Sequence, residues 1–183
     1  NGHMGQIYYG KKIHEKKNFS YLVEKRERPM TSYVYEGDKS FSLEHIRQEY
    51  PVYGTTDYRH SAIEILQKNG SRISDFKYNG YEIVPGKPKL QGLPAIYAES
   101  EEEAMTLRIF LKDSLTGVVV ELLYTIFSEY GAIARSVRIK NSGEMPVHLL
   151  TAMCLNLDLP DKDYVWMQLS GAWARERHVK MRT

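Results

Sequence analysis

The chain has 183 residues, 42% of them hydrophobic and 26% charged, with a net charge of +2. That is enough chain for one sizeable core, or for part of a larger one, and the weak, scattered charge excludes the basic groove that a phosphate backbone requires. The one cysteine, Cys154, rules out an internal disulfide, and no apolar run approaches the roughly 18 residues of a spanning helix, so neither nucleic acid nor membrane is expected as a partner.

In chain order, the first half is irregular. Residues 8–13, 62–66 and 73–78 each carry enough apolar and β-branched character for a short strand. Residues 24–39 show no sustained apolar period and read as loop, and 42–48 allow a short helical turn. Gly-Lys-Pro at 86–88 and Gly-Leu-Pro at 92–94 mark turns or edges, because proline cannot donate to a ladder.

The second half is clearer. In 105–113, Leu107, Ile109 and Leu111 alternate with Thr106, Arg108, Phe110 and Lys112, the period of two of a half-buried strand. Ser-Leu-Thr-Gly at 114–117 is a turn, and the β-branched run 118–127 completes a hairpin. A third strand is predicted over 133–140 with Val137 and Ile139 inward, a turn at 141–144, and a fourth strand over 147–155. Four consecutive antiparallel strands on short connections predict an all-β, mainly antiparallel β-sandwich with little helix.

Candidate chemistry is sparse. None of the acids Asp57, Asp113, Asp158, Asp161 and Asp163 has a spacing that fixes the paired carboxylates of a glycosidase, and Asp158 and Asp161 read as a solvated turn around Pro160. The six histidines are scattered, without a metal-ligand spacing, so no metal or cofactor is expected. His148 reads as a partly buried ring in a strand, and Cys154, in the run Leu-Leu-Thr-Ala-Met-Cys-Leu, as a buried thiol. That thiol, with no signal-peptide pattern, points to the cytoplasm.

The most suggestive segment is 50–62, Tyr-Pro-Val-Tyr-Gly-Thr-Thr-Asp-Tyr-Arg-His-Ser-Ala. Its turn residues predict a solvent-accessible loop. Asp57 and Arg59 share a side if the segment is extended. They form either an internal ion pair at the loop base or a carboxylate offered to sugar hydroxyls and oriented by the guanidinium; Tyr53 and Tyr58 would line the same region. Downstream, Trp173 in Leu-Ser-Gly-Ala-Trp-Ala-Arg-Glu-Arg shares a side with Arg175 and Arg177 if extended. Its ring either stacks on a sugar or takes a cation–π contact from Arg175, or anchors the strand in a core shared with residues outside this chain. Trp166 beside Met167 reads as packing.

Several stretches together resemble the N-terminal β-sandwich region of bacterial family 36 glycoside hydrolases, the α-galactosidases. They are Tyr-Tyr-Gly-Lys-Lys-Ile at 8–13, Tyr-Gly-Thr-Thr-Asp-Tyr-Arg at 53–59, the proline-rich 85–97, Met-Thr-Leu-Arg-Ile-Phe-Leu-Lys-Asp at 105–113, Ala-Arg-Ser-Val-Arg-Ile-Lys-Asn at 134–141, and 169–177. The resemblance implies that 1–183 is a truncated portion of a galactose mutarotase-like supersandwich, with the catalytic (β/α)₈ barrel and its aspartates outside it. It implies no catalytic residue here and an inactive piece of a retaining enzyme that hydrolyses terminal α-galactosides such as melibiose and raffinose. It also implies a homo-oligomer, a tetramer when full length, in which the loop with Asp57, Arg59, Tyr53 and Tyr58 reaches a neighbouring subunit's site. The alternatives are a free-standing carbohydrate-binding module and a purely structural assembly domain. Unfinished sheet edges predict self-association of the isolated piece.

Overall fold

The computed structural model describes residues 2–14, 17–23, 41–54, 57–92, 95–160 and 162–183. The loop expected over 24–39, Thr55, Thr56, Asp161 and residues 93–94 lie outside these. Among the described residues, eight strands follow two short 3-10 helices, Ser20–Leu22 and Leu43–His45. The strands are β1 (Ile63–Gln67), β2 (Phe76–Pro85), β3 (Met105–Asp113), β4 (Val118–Phe127), β5 (Ala132–Asn141), β6 (Val147–Ala152), β7 (Trp166–Ala172) and β8 (Arg175–Arg182). They form three antiparallel sheets, ordered β2-β3-β4-β5, β1-β6 and β7-β8. The all-β, antiparallel sandwich expected from the sequence is the observed architecture.

The core follows from alternation and register. Leu107 lies opposite Tyr124, Ile109 opposite Leu122 and Leu111 opposite Val120, so β3 and β4 project one apolar face. Ile63 and Ile65 of β1 meet that face in one buried cluster, which Tyr50, Val52 and Phe76 extend and against which Val147 of β6 packs. Each such buried side chain contributes about 1.5–3 kcal/mol relative to exposure. The opposite face is covered at one end. There Thr106, fully buried, donates to Gly86 O at 2.7 Å and meets Thr125 Oγ1 at 2.8 Å.

Turn chemistry closes the sandwich. The buried Asp113 carboxylate accepts from the N–H groups of Leu115 (2.8 Å), Thr116 (3.3 Å) and Asp75 (3.3 Å), which fixes the β3–β4 turn. Gly117 has φ +74, and a Cβ on Gly143 would lie 2.0 Å from Thr116 O, so the β3–β4 and β5–β6 turns interlock through two glycines.

Three expectations are corrected here. The strand after the 141–144 turn exists but crosses to the other sheet, where Ile65 faces Leu149 and Leu66 faces His148. Pro146 has no N–H for a first rung against β5, while Asn141 bonds Met145 O (2.9 Å) and receives Gly143 N (3.0 Å), locking an open turn. Residues 8–13 form no strand; Tyr8 Oη donates to Lys11 O at 3.0 Å and turns the chain back, and only Gly5 bridges to Gln48. β2 runs to Pro85 because Gly80 (φ +109) sits at a bulge between Tyr78 and Tyr81 rather than ending the strand.

Candidate functional site

Among the described residues of the segment 50–60, Tyr50 to Val52 and Asp57 are buried and Arg59 is partly buried, while Tyr53, Gly54, Tyr58 and His60 are exposed. Tyr50, Pro51 and Val52 are buried, with Tyr50 Oη donating to Met153 O at 2.9 Å. Burial pushes the Tyr50 phenol up to about 12. Tyr53 is 44% exposed, with the Arg72 guanidinium 5.0 Å from its ring centroid.

Asp57 is 4% exposed, which overturns the expectation of an accessible carboxylate. Its oxygens accept from Gln48 Nε2, from Arg59 N at 3.1 Å and from Arg59 Nε at 3.0 Å. Arg59 spends its remaining donors on Asp158 Oδ2 (2.7 Å), Leu43 O (3.0 Å) and Ile46 O. Asn156 donates to Gln48 O at 2.8 Å, while Gln6 donates to Asn156 O at 2.7 Å and accepts from Asp158 N at 3.0 Å. The result is a polar knot that joins the N-terminal arm, the 43–48 turn, the 57–59 loop and the 156–158 segment. A buried carboxylate must be paired and hydrogen-bonded, and this one is supplied from inside the chain. Asp158 is therefore a partner of Arg59 and not part of a solvated turn. Tyr58, between two clamped neighbours, is 88% exposed.

Trp173 is 95% exposed. The extended run expected around it is instead a hairpin: Ala172 pairs with Arg175, and 173–174 are the turn, with Ala174 in the left-handed region at φ 62. Trp166 and Met167 are exposed as well. Cys154 and His148 are also exposed, against the burial expected for them, because 154 lies beyond the end of β6 and His148 faces away from the shared core. The structure thus brings Asp57 and Arg59 together and leaves Tyr53, Tyr58 and Trp173 as the exposed members of the set.

A second feature went unread in the sequence. A cavity of about 500 Å³ opens between the N-terminal arm and the sheet, lined mainly by apolar groups such as Ile7, Phe19, Leu107 and Leu157. Arg135 and Tyr124 line it as well, with Glu49 beside them. Arg135 Nη1 bonds Glu49 Oε1 at 2.7 Å, its guanidinium lies 3.7 Å from the Tyr124 ring centroid, and Tyr124 Oη bonds the same carboxylate oxygen. Burial and then the Glu49 charge push the Tyr124 phenol well above its ordinary value. The signal was present: Arg135 has the same strand parity as Val137 and Ile139, so a charge at an inward position required a partner.

Among the described residues, no group of three or more His, Cys, Asp or Glu could hold a metal ion, and no helix is long and apolar enough to cross a membrane. The acids nearest the core are each engaged: Asp57 with Arg59, Glu49 with Arg135, Glu121 with Arg108, and Asp113 with turn amides. The arrangement can hold segments in place, and these four acids are spent on internal partners rather than offered as a free pair.

The glycosyl hydrolase family 36 N-terminal domain matches residues 2–183. The chain belongs to glycoside hydrolase family 36. Its relatives in that family include the α-galactosidase AgaA of Geobacillus stearothermophilus, 39% identical over 181 residues, which are 99% of this chain and 25% of AgaA. The bifunctional α-galactosidase/sucrose kinase AgaSK of Mediterraneibacter gnavus is 36% identical over 98% of this chain and 19% of its own length. The crystal structure of AgaA superposes with a TM-score of 0.92 at 38% identity over 100% of this chain and 25% of that one. The α-galactosidase of Lactobacillus brevis gives 0.93 at 36% identity over 99% of this chain and 24% of that one. The family 36 chain described here therefore spans 19% to 25% of the length of these relatives.

Proposed function

We propose that this chain is the N-terminal β-sandwich portion of a longer retaining glycosidase that hydrolyses terminal α-galactosides such as melibiose and raffinose. The observation that carries the reading is the likeness to enzymes named α-galactosidases over essentially the whole of this chain but only about a quarter of theirs. In this reading the chain contributes no catalytic group. The nucleophile and the acid/base of the two-step displacement lie in a (β/α)₈ barrel outside residues 1–183. The engagement of the described near-core acids by internal partners supports that division of labour. The chain's own role is to support a cytoplasmic homo-oligomer, a tetramer at full length, and to line a neighbouring subunit's substrate site. The exposed Tyr53, Tyr58 and Trp173 are suited to sugar contact by ring stacking, whereas Asp57 and Arg59 act as the internal clamp that fixes the loop.

The test compares two polypeptides on p-nitrophenyl α-galactoside. The purified 183-residue chain is expected to release no nitrophenol, and the same chain continued through its reading frame beyond Thr183 is expected to release it. Turnover that copurifies with the short chain, or a stop codon directly after Thr183, removes the reading.

A further inference from the structure

Among the described residues, asparagine is followed directly by glycine twice, at Asn69–Gly70 and Asn79–Gly80. In such a pair the side-chain amide can react with the next backbone nitrogen through a five-membered ring, and glycine leaves that approach unobstructed because it has no Cβ. Both glycines sit at positive φ, +85 and +109, with nothing within 4 Å of where a Cβ would stand. What separates the pairs is how their reacting groups are held. In the first, both are spent. Asn69 Oδ1 accepts from Ser71 N at 2.9 Å and Gly70 N donates to Gln67 O at 2.9 Å, inside a turn that Gln67 N closes on Ser71 O at 2.8 Å. Ring closure there must break the first two of these bonds. In the second pair the ladder is interrupted. Tyr78 is opposite Leu111 and Tyr81 is opposite Ile109, so Asn79 and Gly80 together face Phe110. A bulge of that kind leaves its extra residue out of the ladder. Among the described residues the Asn79 side chain has no hydrogen-bond partner. Lys77, paired with Asp75 at 2.9 Å, stands opposite Lys112, and Asn79, two residues on, shares their face of the strand. Nearby cations favour the anionic nitrogen through which the ring closes and the carboxylate that results.

We propose that Asn79 is a self-modifying site, converted without an enzyme to aspartate and isoaspartate. Gly80 N bonds to Asn79 Cγ, the Cγ–Nδ2 bond breaks, and the side-chain nitrogen leaves as ammonia with the proton that Gly80 N gives up. Water then opens the resulting succinimide at either carbonyl. Attack at Cγ leaves aspartate. Attack at the main-chain carbonyl leaves isoaspartate, which lengthens the backbone by one carbon inside a bulge that already holds an extra residue. Either product adds a carboxylate to the face that carries Lys77 and Lys112. The reaction closes within two adjacent residues and needs no partner, only water.

The test follows both asparagine peptides in the protein expressed from its complete reading frame, aged in heavy-oxygen water and mapped by mass spectrometry. In the folded protein the Asn79 peptide is expected to take up heavy oxygen about tenfold faster than the Asn69 peptide or more, the factor supplied by two hydrogen bonds that only Asn69–Gly70 must break. Labelling by an isoaspartyl methyltransferase should fall on the Asn79 peptide. In protein unfolded by guanidinium the two rates should converge, because both peptides then present the same pair to water. Folded protein in which Asn79 converts no faster than Asn69 overturns the proposal. A rate ratio that survives unfolding overturns it as well, since the difference would then belong to the neighbouring residues and not to the bulge.

Discussion

The β3–β4 and β7–β8 hairpins are built from the same kind of sequence and end in opposite environments. β3 and β7 each alternate apolar with polar residues over much of their length, and both hairpins pair antiparallel, β3–β4 in continuous register and β7–β8 with a shift between Ser170 and Ala172. In β3–β4, Leu111, Val120 and Leu122 are essentially inaccessible, because β1 supplies Ile63 and Ile65 opposite them. In β7–β8, Met167 faces Met181 and Leu169 faces Val179 on one side of the ribbon, yet all four are more than half exposed. Alternation makes a strand, but only an opposing layer turns its apolar face into stability. The contrast predicts where substitutions are felt.

The largest effect is expected at the polar knot that holds the sandwich's loops. Arg59→Ala strands the buried Asp57 carboxylate and should cost about 3–5 kcal/mol, read as a lower urea midpoint. Retained stability would mean that the knot is not what fixes the sandwich end of the comparison. Leu122→Ala, in the fully buried center of the first hairpin, should cost about 2–5 kcal/mol by the same measurement.

The sandwich should also respond to alkaline pH, which the second hairpin should not. Tyr50 and Tyr124 are both raised by burial, Tyr50 to about 12. The folded state therefore holds these protons more tightly than the unfolded one. Their contribution is complete below pH about 10, the ordinary tyrosine value, and is lost as pH rises from there through about 12 for Tyr50. Stability should fall by about 1.4 kcal/mol per pH unit for each phenol in that window, and Tyr50→Phe should flatten the fall. An unchanged slope in that variant would remove Tyr50 as its cause.

The smallest effect is expected in the exposed hairpin. Leu169→Ala should change the unfolding free energy by no more than about 0.5 kcal/mol, measured at dilute monomer concentration. In hydrogen exchange, β7–β8 amides should exchange through local opening, while β4 amides wait for global unfolding. A loss at Leu169 as large as at Leu122 would show that the hairpin belongs to the same cooperative core.

Strand identity was legible wherever it depended on near-neighbour pattern. The period of two in 105–113, the β-branched run of 118–127 and the turn at 114–117 each appear where the residues place them. The likeness to family 36 was legible from ordered motifs and holds over residues 2–183. Pairing across distance was not legible. Pro146 and the Asn141 turn, both local, direct β6 away from β5, but that β1 receives it is settled only in three dimensions. The candidate site divides in the same way. The closeness of Asp57 and Arg59 followed from their spacing, but burial of that pair required Gln48, Leu43, Ile46 and Asp158, which come from up to 99 residues away.

The sequence by itself determined the central strands of 105–141 and the family, because alternation, turn residues and motif order are properties of short stretches. The tertiary structure alone decided that Asp57 is a clamp and Tyr58 a surface ring, that Cys154 and His148 face outward, and that Trp173 tops a hairpin. Those outcomes depend on which distant backbone arrives beside each side chain, and solvent exposure is a property of that arrangement.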